Sequence, residues 1–312
     1  MLASYISPSN RRFASALNSC VLTSPSFAAF TPLSLFSGGV QGVWYDPSDL
    51  STMFEDSAGT TAVHTPGNGT ADSPVGKILD KSGNGNHATQ STSTKRPTLS
   101  AKYNLLTYTE DFSNAAWVKN DVTATADTIT STSSTSNYTG AYQFTASVTG
   151  YTHRISAKAG TAPYLCIGQN FGGAGNSGAT FDVLNGVVLS SVGGTASMVD
   201  EGGGWWTCIL SNTTVALNTI ISIKDSLVSG LYGGWGSGTC TSGKYIYVRK
   251  ADTRLANDGV GLPAYQRVVD ANTYDSAGFP YYLKSDGVDD AMVTTGNVDF
   301  TSTNAVDVFP AV

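Results

Sequence analysis

Carboxylates near the two ends of the sequence are the residues best suited by type to acid–base chemistry. They are Asp46 and Asp49 in the segment DPSD, and Asp286, Asp289 and Asp290 in the segment DGVDD. Hydrolysis of a glycosidic bond needs two such groups facing each other across a cleft, one of them with a raised pKa. Segments of Asp with Gly, Pro and Ser are, however, typical of turns in which the carboxylate accepts backbone N–H groups. The sequence therefore predicts structural carboxylates and no enzyme.

Calcium binding is a sharper alternative for the DGVDD segment. A calcium ion takes several oxygen ligands, and Asp286, Asp289, Asp290 and Asn84 supply them if the two ends of the chain meet. The spacing of these residues does not match a recognised calcium loop. We therefore predict no cofactor, with Ca2+ at the three aspartates as the alternative. Asp80, in the segment LDKSGNG, is predicted to be a turn residue.

The histidines and cysteines are scattered and form no catalytic or metal-binding motif. The histidines are His64, His87 and His153, and the cysteines are Cys20, Cys166, Cys208 and Cys240. No cysteine pair has the C-x-x-C spacing of a zinc or redox site, and no Ser or Cys lies in a nucleophile elbow. We predict surface or hydrogen-bonded structural histidines and buried free thiols, with one or two disulfides as the alternative for the cysteines.

Aromatic side chains are the residues most suited to bind a ligand, because sugar rings stack their apolar faces on Trp and Tyr. The candidate ligand-binding residues are Trp235, Tyr232, Trp206 and Tyr164. Two of them lie in the glycine-rich segment GLYGGWGSG, which favours an exposed loop. Trp205 and Trp206 are adjacent, so in a strand one of them faces the core and the other faces outward. Core packing is the alternative for each of these aromatic residues.

The composition favours short strands over helices. Charged residues make up 13% of the 312 residues, and the chain has 34 glycines. The net charge of -6 argues against a nucleic-acid partner, because binding to phosphates requires clustered Lys and Arg. No apolar segment reaches the roughly 18 residues needed to cross a bilayer, so no membrane insertion is predicted. These observations predict an all-β protein.

Strand-like segments separated by turn residues fill residues 104–267. About eight such runs occur, among them TIISIKDSL and GKYIYVRKADTRL. Their number and spacing predict an antiparallel β-sandwich or jelly roll. The clearest hairpin is ATFDVLNGVVL, in which Asn185 and Gly186 favour a type I′ turn.

Residues 1–40 are predicted to form an extended N-terminal anchoring arm. The segment is rich in Ser, Pro, Phe and Leu, and Pro8, Pro25 and Pro32 interrupt any long helix. The apolar residues of the arm are Phe27, Phe30, Leu33, Leu35 and Phe36. An extended arm cannot bury these side chains by itself, so it packs across its own domain or docks on a neighbouring subunit.

Three segments from the two ends of the chain resemble parts of one family. GVWYDPSDL, VGKILDKSGNGNHATQ and YLKSDGVDDAMV are similar to the opening portion of concanavalin-like (laminin-G-like) domains in bacteriophage and prophage virion proteins. The segments NLLTYTEDFSNAAW, ISAKAG, GGGWWTC and YIYVRKADTRL resemble the carbohydrate-binding-module-like jelly rolls of phage tail and fibre proteins. The resemblance implies a discontinuous base of residues 41–103 and 268–312, with a jelly roll of residues 104–267 inserted into it.

This arrangement departs from the family, in which the DKSGNGNHATQ and FDGVDD segments lie close together in sequence. Domain insertions succeed where the two ends of the inserted unit lie close together at a surface loop. We therefore expect residues 44–49, the DKSGNGNHA turn and the YLKSDGVDD segment to lie together. The base is shorter than a full concanavalin-like sandwich, so it is a reduced unit or is completed by another chain.

The resemblance implies a virion structural protein of a bacteriophage, as a head decoration, tail or fibre component. Its expected partners are other virion proteins, further copies of the chain, with a trimer as one option, and host surface glycans. The chain would fold in the host bacterial cytoplasm and be located in the virion. One alternative is a glycan-binding adhesin that recognises a receptor, and a less favoured one is a polysaccharide-cleaving enzyme.

Overall fold

The computed structural model describes residues 31–169, 177–227, 238–256, 258 and 262–299, and its regular structure is nearly all β. The strands are β1 (Met53–Phe54), β2 (Lys77–Ile78), β3 (Ala88–Thr89), β4 (Thr98–Ser100), β5 (Val118–Asn120), β6 (Val122–Ala124), β7 (Thr128–Ser131), β8 (Gly140–Ala159), β9 (Tyr164–Gln169), β10 (Ser177–Asp182), β11 (Val187–Val192), β12 (Gly194–Gly202), β13 (Trp205–Lys224), β14 (Tyr245–Leu255), β15 (Tyr282–Lys284) and β16 (Val293–Thr294). Short 3-10 helices span Pro32–Gly39, Leu50–Thr52 and Ser93–Lys95. The predicted all-β class, with antiparallel sheets in a sandwich-like arrangement, is confirmed. Among the described residues, no helix has the length and apolar character that crossing a bilayer requires.

Strands β5–β14 form a sandwich built around two long strands. β8 and β13 are each 20 residues long and pair with each other antiparallel. Residues 151–158 of β8 and 205–212 of β13 lie with β12, β14, β7 and β6, which we call the front sheet. Residues 140–149 of β8 and 215–224 of β13 lie with β5, β9, β10 and β11, the back sheet.

Both long strands change neighbours at a bend. Gly150 of β8 has a φ of 82°, in the left-handed region that favours glycine. Opposite it, the pairing of β13 with β8 is irregular between Asn212 and Val215. Bulges of this kind bend a strand and allow it to pass from one sheet to the other. The bend therefore lets the same two strands contribute to both layers.

The core of the sandwich contains inward-facing residues of both sheets. Buried members from the front sheet include Ile155, Ala157, Cys208, Leu210, Ile246 and Val248, and those from the back sheet include Leu165, Phe181, Ile221 and Ile223. Trp117 and Phe112 belong to the same core, with ring centroids 4.8 Å apart. The indole N–H of Trp117 donates to the Tyr108 carbonyl at 3.0 Å, so this large ring is buried with its polar atom satisfied.

The predicted hairpin of β10 and β11 is present, but its turn is not type I′. The strands are connected by residues 183–186. Gly186 has a φ of 71°, whereas Asn185 does not have the positive φ that a type I′ turn requires at both central positions. Asp182 accounts for the longer turn, because its carboxylate accepts the N–H groups of Leu184 and Asn185. The backbone carbonyl of Asp182 accepts the N–H of Gly186.

The base contains strands from both ends of the chain. β1, β2, β3 and β16 form a four-stranded sheet in that order, and β4 pairs with β15. In the β3–β16 pair, Val293 lies opposite Thr89 and Thr294 lies opposite Ala88. The base has two buried clusters, one of Met53, Val63, Val75, Ile78, Ala88 and Leu99 and a smaller one of Ala101, Val268, Tyr274 and Phe279. Leu283 packs against the larger cluster, so strand pairing and packing join segments that are nearly two hundred residues apart in sequence.

Asp80 connects the DKSGNGN turn to the segment that precedes β1. Its carboxylate accepts the N–H groups of Trp44 at 2.9 Å, Ser82 at 2.9 Å and Asn86 at 3.0 Å. Burial alone would raise the pKa of Asp80, but hydrogen bonds from the Ser82 hydroxyl and from these N–H groups outweigh it and lower the pKa. Asp80 is a turn residue, as predicted, and it also holds Trp44 in place.

Asn104 and Gln266 lie where the chain enters the sandwich from the base and where it returns, and they hold these two connections side by side. The Gln266 carboxamide oxygen accepts the N–H groups of Tyr103 and Asn104 at 2.7 and 2.8 Å. The Asn104 amide donates to the carbonyls of Ala251 and Gln266, both at 2.9 Å. The Thr253 N–H completes the set by donating to the Asn104 side-chain oxygen at 3.0 Å. Both Asn104 and Gln266 are 0% exposed, so water does not compete for these bonds.

The predicted arm departs from an extended conformation where the structure describes it. Leu33, Leu35 and Phe36 lie in the 3-10 helix Pro32–Gly39. Pro32 stands in the first turn, where its fixed φ favours helical geometry. Leu33 and Leu35 are exposed. The other two predicted arm residues lie outside the described residues: Phe27 and Phe30.

Three of the four cysteines lie in described parts of the chain, and all three are buried free thiols. Cys166, Cys208 and Cys240 form no disulfide, which confirms the prediction for these residues. Burial raises the pKa of each thiol, so the reactive thiolate form is disfavoured. The fourth cysteine, Cys20, lies outside the described residues.

Candidate binding surface

The outer surface of the front sheet carries a row of aromatic and basic side chains. Trp205 on β13 lies opposite Lys158 on β8, and Lys158 lies opposite Tyr247 on β14. Residues directly opposite each other on neighbouring strands point to the same side of a sheet, so these three side chains share one surface. Their chain neighbours Ala157 and Val248 belong to the core. Because side chains alternate along a strand, the shared surface is the one that faces away from the core.

Four further residues complete this surface, which we call the aromatic face. The aromatic face consists of Lys158, Glu201, Trp205, Tyr245, Tyr247, Arg249 and Lys250, all half-buried. The rings of Tyr245 and Tyr247 meet edge to face with centroids 5.3 Å apart, and the rings of Trp205 and Tyr247 are 6.5 Å apart. The guanidinium carbon of Arg249 lies 3.9 Å from the centroid of the Trp205 ring, a cation–π contact that fixes the ring orientation.

Glu201 is the charged centre of the aromatic face. Its carboxylate accepts hydrogen bonds from Arg249 and Lys250, both at 2.9 Å, and from the Thr207 hydroxyl. Burial alone would raise the pKa of Glu201, but these bonds and one from Ser156 outweigh it and lower the pKa to about 2. Glu201 is therefore ionised at neutral pH and holds two cations against the sheet.

A bulge in β14 brings Lys250 to Glu201. The pairing of β14 with β8 shifts between Arg249 and Asp252, and Lys250 has a φ of 53°. A left-handed conformation is uncommon for a residue with a side chain and costs on the order of 1–3 kcal/mol. The bulge breaks the alternation of the strand, so consecutive residues Arg249 and Lys250 reach the same carboxylate. Bulges that redirect a side chain in this way are over-represented next to functional sites.

The chemistry of the aromatic face suits the recognition of a saccharide. Half-buried Trp and Tyr rings present apolar faces and edges to a sugar ring, while fixed N–H donors and a carboxylate can bond its hydroxyl groups. The ion pairs and the cation–π contact already hold Trp205, Arg249 and Glu201 in place. Side chains ordered before binding lose less conformational entropy when a ligand binds.

The structure places the predicted aromatic residues in different surroundings. Trp206 packs against the sandwich core, where its ring would collide with a Cβ at Gly186. Tyr164 is half-buried at the start of β9 in the back sheet. Trp205 and Trp206 face opposite sides, as predicted, and it is Trp205 that lies on the outer surface. The remaining two candidates, Tyr232 and Trp235, lie outside the described residues.

The sequence does not predict the aromatic face as a site, although part of the pattern is visible in it. In YIYVRK, alternation places Tyr245, Tyr247 and Arg249 on one side of a strand. The same alternation does not show that Trp205 comes from a neighbouring strand pair or that Glu201 lies within reach. The contacts of Glu201 with Arg249 and Lys250 join residues that are 48 and 49 positions apart in sequence, so no local pattern predicts them.

The three aspartates considered for calcium lie close together in a turn. Carboxylate oxygens of Asp286, Asp289 and Asp290 lie within 4.8 Å of one another. Asp286 accepts the N–H groups of Val288 at 2.8 Å and Asp289 at 3.3 Å, and Asp290 accepts the N–H of Asp286 at 2.8 Å. The amide of Asn84 is engaged by two backbone carbonyls before β1. These bonds are those of the predicted turn carboxylates, and an exposed acidic cluster alone does not indicate an ion.

His153 is buried inside the sandwich beside the bend of the long strands. Its Nδ1 lies 3.1 Å from the Thr253 hydroxyl and 3.2 Å from the Thr219 hydroxyl, and its Nε2 lies 3.3 Å from both Gln169 Oε1 and Asn212 Nδ2. Burial lowers the pKa of His153 to about 4, so the ring is neutral at physiological pH. This is the structural, hydrogen-bonded role that the sequence predicts for it.

No protein-family model matches the sequence, and a search of curated proteins finds none that is similar to it. Two features of the described residues bear on function. One is the set of buried hydrogen bonds by which Asn104 and Gln266 join the base to the sandwich, and the other is the aromatic face.

Proposed function

We propose that the chain is a structural component of a bacteriophage particle, as a head decoration, tail or fibre protein. The resemblance of the end segments and of the intervening segment to phage virion proteins supports this role. In it, the base binds other virion proteins or further copies of the chain, with a trimer as one option, and the sandwich projects from the base. The location of the chain in the virion belongs to the same proposal.

The single observation that carries the proposal is the clasp formed by Asn104 and Gln266. A module displayed on a particle needs a defined orientation toward its carrier. Two chain crossings held together by buried hydrogen bonds supply that orientation, whereas two flexible linkers would let the module pivot. The clasp thus favours a sandwich that is carried in a fixed position.

Location and copy number in purified particles test this function. Antibodies raised against the sandwich are expected to label density-gradient-purified virions at one class of position, and quantitative mass spectrometry is expected to give a fixed ratio to the major capsid protein. A host cytoplasmic protein serves as the control for contamination. Recovery of the chain only in the soluble fraction of the infected lysate would contradict a virion role.

Glycan recognition by the sandwich is a second candidate function, favoured by the aromatic face. It is compatible with a place on the particle, because many copies make weak single sites useful. Binding to an array of bacterial surface glycans is expected for the intact chain and is expected to be lost in Trp205→Ala. The matched control is Phe144→Ala, which removes an aromatic side chain that is 66% exposed on the back sheet. Equal loss in both variants, or no binding by the intact chain, would exclude the aromatic face as a glycan site.

A further inference from the structure

We propose that the aromatic face takes a saccharide that carries a carboxylate, with a sugar ring against Trp205 and Tyr247 and the carboxylate on the Lys158 amine. This inference rests on the glycan-recognition candidate above and adds the chemical class of the ligand. The residue that decides the class is Lys158, which was not among the residues predicted to bind.

Lys158 lies between the two rings in the strand pairing. It is opposite Trp205 on one side and opposite Tyr247 on the other, so its side chain emerges in the middle of the aromatic row. A Cβ placed on Gly204 would be 3.5 Å from Lys158 Cε, so the stem of the lysine runs beside the turn of residues 202–204. That turn consists of three glycines, and this edge of the aromatic face therefore carries no other side chain.

The Lys158 amine differs from the other two cations of the aromatic face. Arg249 and Lys250 both contact Glu201 at 2.9 Å, and their charge is balanced in part by that carboxylate. Within the described residues, Lys158 forms neither an ion pair nor a hydrogen bond through its amine. An ammonium group with three donors and no protein partner, held next to aromatic rings, is suited to an anionic group of a ligand.

The charges on and around the aromatic face balance, and they leave Lys158 as the cation without a carboxylate partner among the described residues. The chain has a net charge of -6, but the aromatic face has the cations Lys158, Arg249 and Lys250 against the single carboxylate of Glu201. Two more carboxylates lie at its edges and are already engaged. Asp127 accepts the hydroxyl groups of Thr125 and Thr128, and Glu110 accepts the N–H of Lys250. With these two carboxylates the surface and its edges carry three cations and three carboxylates, so an acidic sugar is favoured by the unpaired Lys158 amine and not by a net positive charge.

A saccharide fits this surface better than a nucleic acid does. Single-stranded nucleic acid also stacks on aromatic rings, but it requires a groove with many cations that follows its phosphates. The aromatic face offers one unpaired amine, and the rest of the chain is acidic overall. One carboxylate on one sugar unit matches that single amine.

Matched acidic and neutral oligosaccharides test the inference. The probes are oligomers of galacturonate, glucuronate and sialate and the methyl ester of each, in which the carboxylate charge is replaced by a neutral ester that is larger by one methyl group. The intact chain is expected to bind an acidic form about tenfold or more tightly than its methyl ester, the size of effect typical of a charge-assisted hydrogen bond. Isothermal titration at low and high salt measures the difference, which should shrink as salt increases.

Substitutions at Lys158 separate charge from packing. Lys158→Met keeps the length of the stem and is expected to remove the preference, so that the acidic form and its methyl ester bind with equal affinity. Lys158→Arg is expected to retain the preference. Lys284→Met, which removes an exposed lysine from β15 in the base, is the matched control and should change neither affinity.

Each outcome separates this inference from the candidate function on which it rests. If Trp205→Ala abolishes binding but Lys158→Met does not change the acidic preference, the face binds glycans and the assignment of Lys158 is wrong. If none of the probes binds and the bacterial glycan array is also silent, glycan recognition itself fails and this inference fails with it. Tighter binding of a homopolymeric single-stranded DNA than of any saccharide would overturn the ligand class.

Discussion

The base and the sandwich are stabilised in different ways. The strands of the base are two or three residues long, whereas β8 and β13 have 20 residues each. In the base, the carboxylates of Asp46, Asp56 and Asp80 accept backbone N–H groups of nearby loops. In the sandwich, a continuous apolar core lies between two sheets. Short strands bury little apolar area, so side-chain hydrogen bonds to loops must define the shape of the base.

The largest loss of stability is expected from a substitution in the sandwich core. Trp117→Ala removes a fully buried indole that packs on Phe112 and is expected to lower the free energy of unfolding by about 3–5 kcal/mol. Urea unfolding followed by circular dichroism measures the change. Trp117→Phe, which keeps an aromatic ring, should cost less. A loss below that of Asp80→Ala would contradict the assignment of most stability to this core.

The next effect concerns pH and the buried His153. The pKa of this group is about 4 in the folded chain against 6.5 as its ordinary value, so the unfolded chain binds more protons between these values. The free energy of unfolding therefore decreases as the pH falls from about 6.5 to about 4, by about 3 kcal/mol in total. His153→Gln keeps hydrogen-bonding capacity and is expected to flatten this part of the stability curve.

Glu201→Gln is the control for the pH experiment. The pKa of Glu201 is lowered from 4.5 to about 2, so the stability that this carboxylate contributes is present above pH 4.5 and is lost as the pH falls toward 2. The two variants should therefore alter the free energy of unfolding in different pH ranges. An unchanged slope between pH 6.5 and 4.5 in His153→Gln would show that the histidine is not buried in its neutral form.

A smaller and more local effect is expected in the base. Asp80→Ala removes the acceptor of three backbone N–H groups, those of Trp44, Ser82 and Asn86, and should cost about 2 kcal/mol once the loop relaxes. Hydrogen exchange should accelerate at these three amides and remain unchanged in β8 and β13. Asp80→Asn retains one oxygen acceptor, so its stability should lie between that of the unchanged chain and that of Asp80→Ala. Accelerated exchange in the long strands would show that the two units are not stabilised separately.

The smallest effect is expected at the ion pairs on the surface of the base. The Lys81 amine lies 2.8 Å from Asp46 and 2.9 Å from Asp49, and its side chain is 25% exposed. Exposed pairs of this kind contribute about 0–1 kcal/mol, so Lys81→Met should cost less than about 1 kcal/mol, and less again at high salt. A double-mutant cycle with Asp46→Asn measures the pair. A coupling energy above about 2 kcal/mol would show that ion pairs stabilise the base as strongly as the turn carboxylates do.

Much of the fold could be predicted from local patterns. Low charge, abundant glycine and repeated strand-like runs indicated the all-β class, and the β10–β11 hairpin was visible in its alternation. The turn type was wrong because Asp182 stabilises a longer loop through its own carboxylate, an interaction that the Asn185–Gly186 pair does not reveal. The prediction of an extended arm was wrong for the first part of Pro32–Gly39, before the kink at Ser37 and Gly38, because proline in the first turn favours helical geometry.

Alternation along a strand predicts that neighbouring side chains face opposite sides, and hence that one of Trp205 and Trp206 points away from the core. Which of the two points outward depends on packing between the sheets, because the back sheet covers one side of β13 and Trp206 packs against the core on that side. The same holds for Lys158, whose position between Trp205 and Tyr247 depends on the register of three strands. Alternation is a property of one strand, whereas a surface is made by strands that are distant in sequence and are brought together by burying their other side.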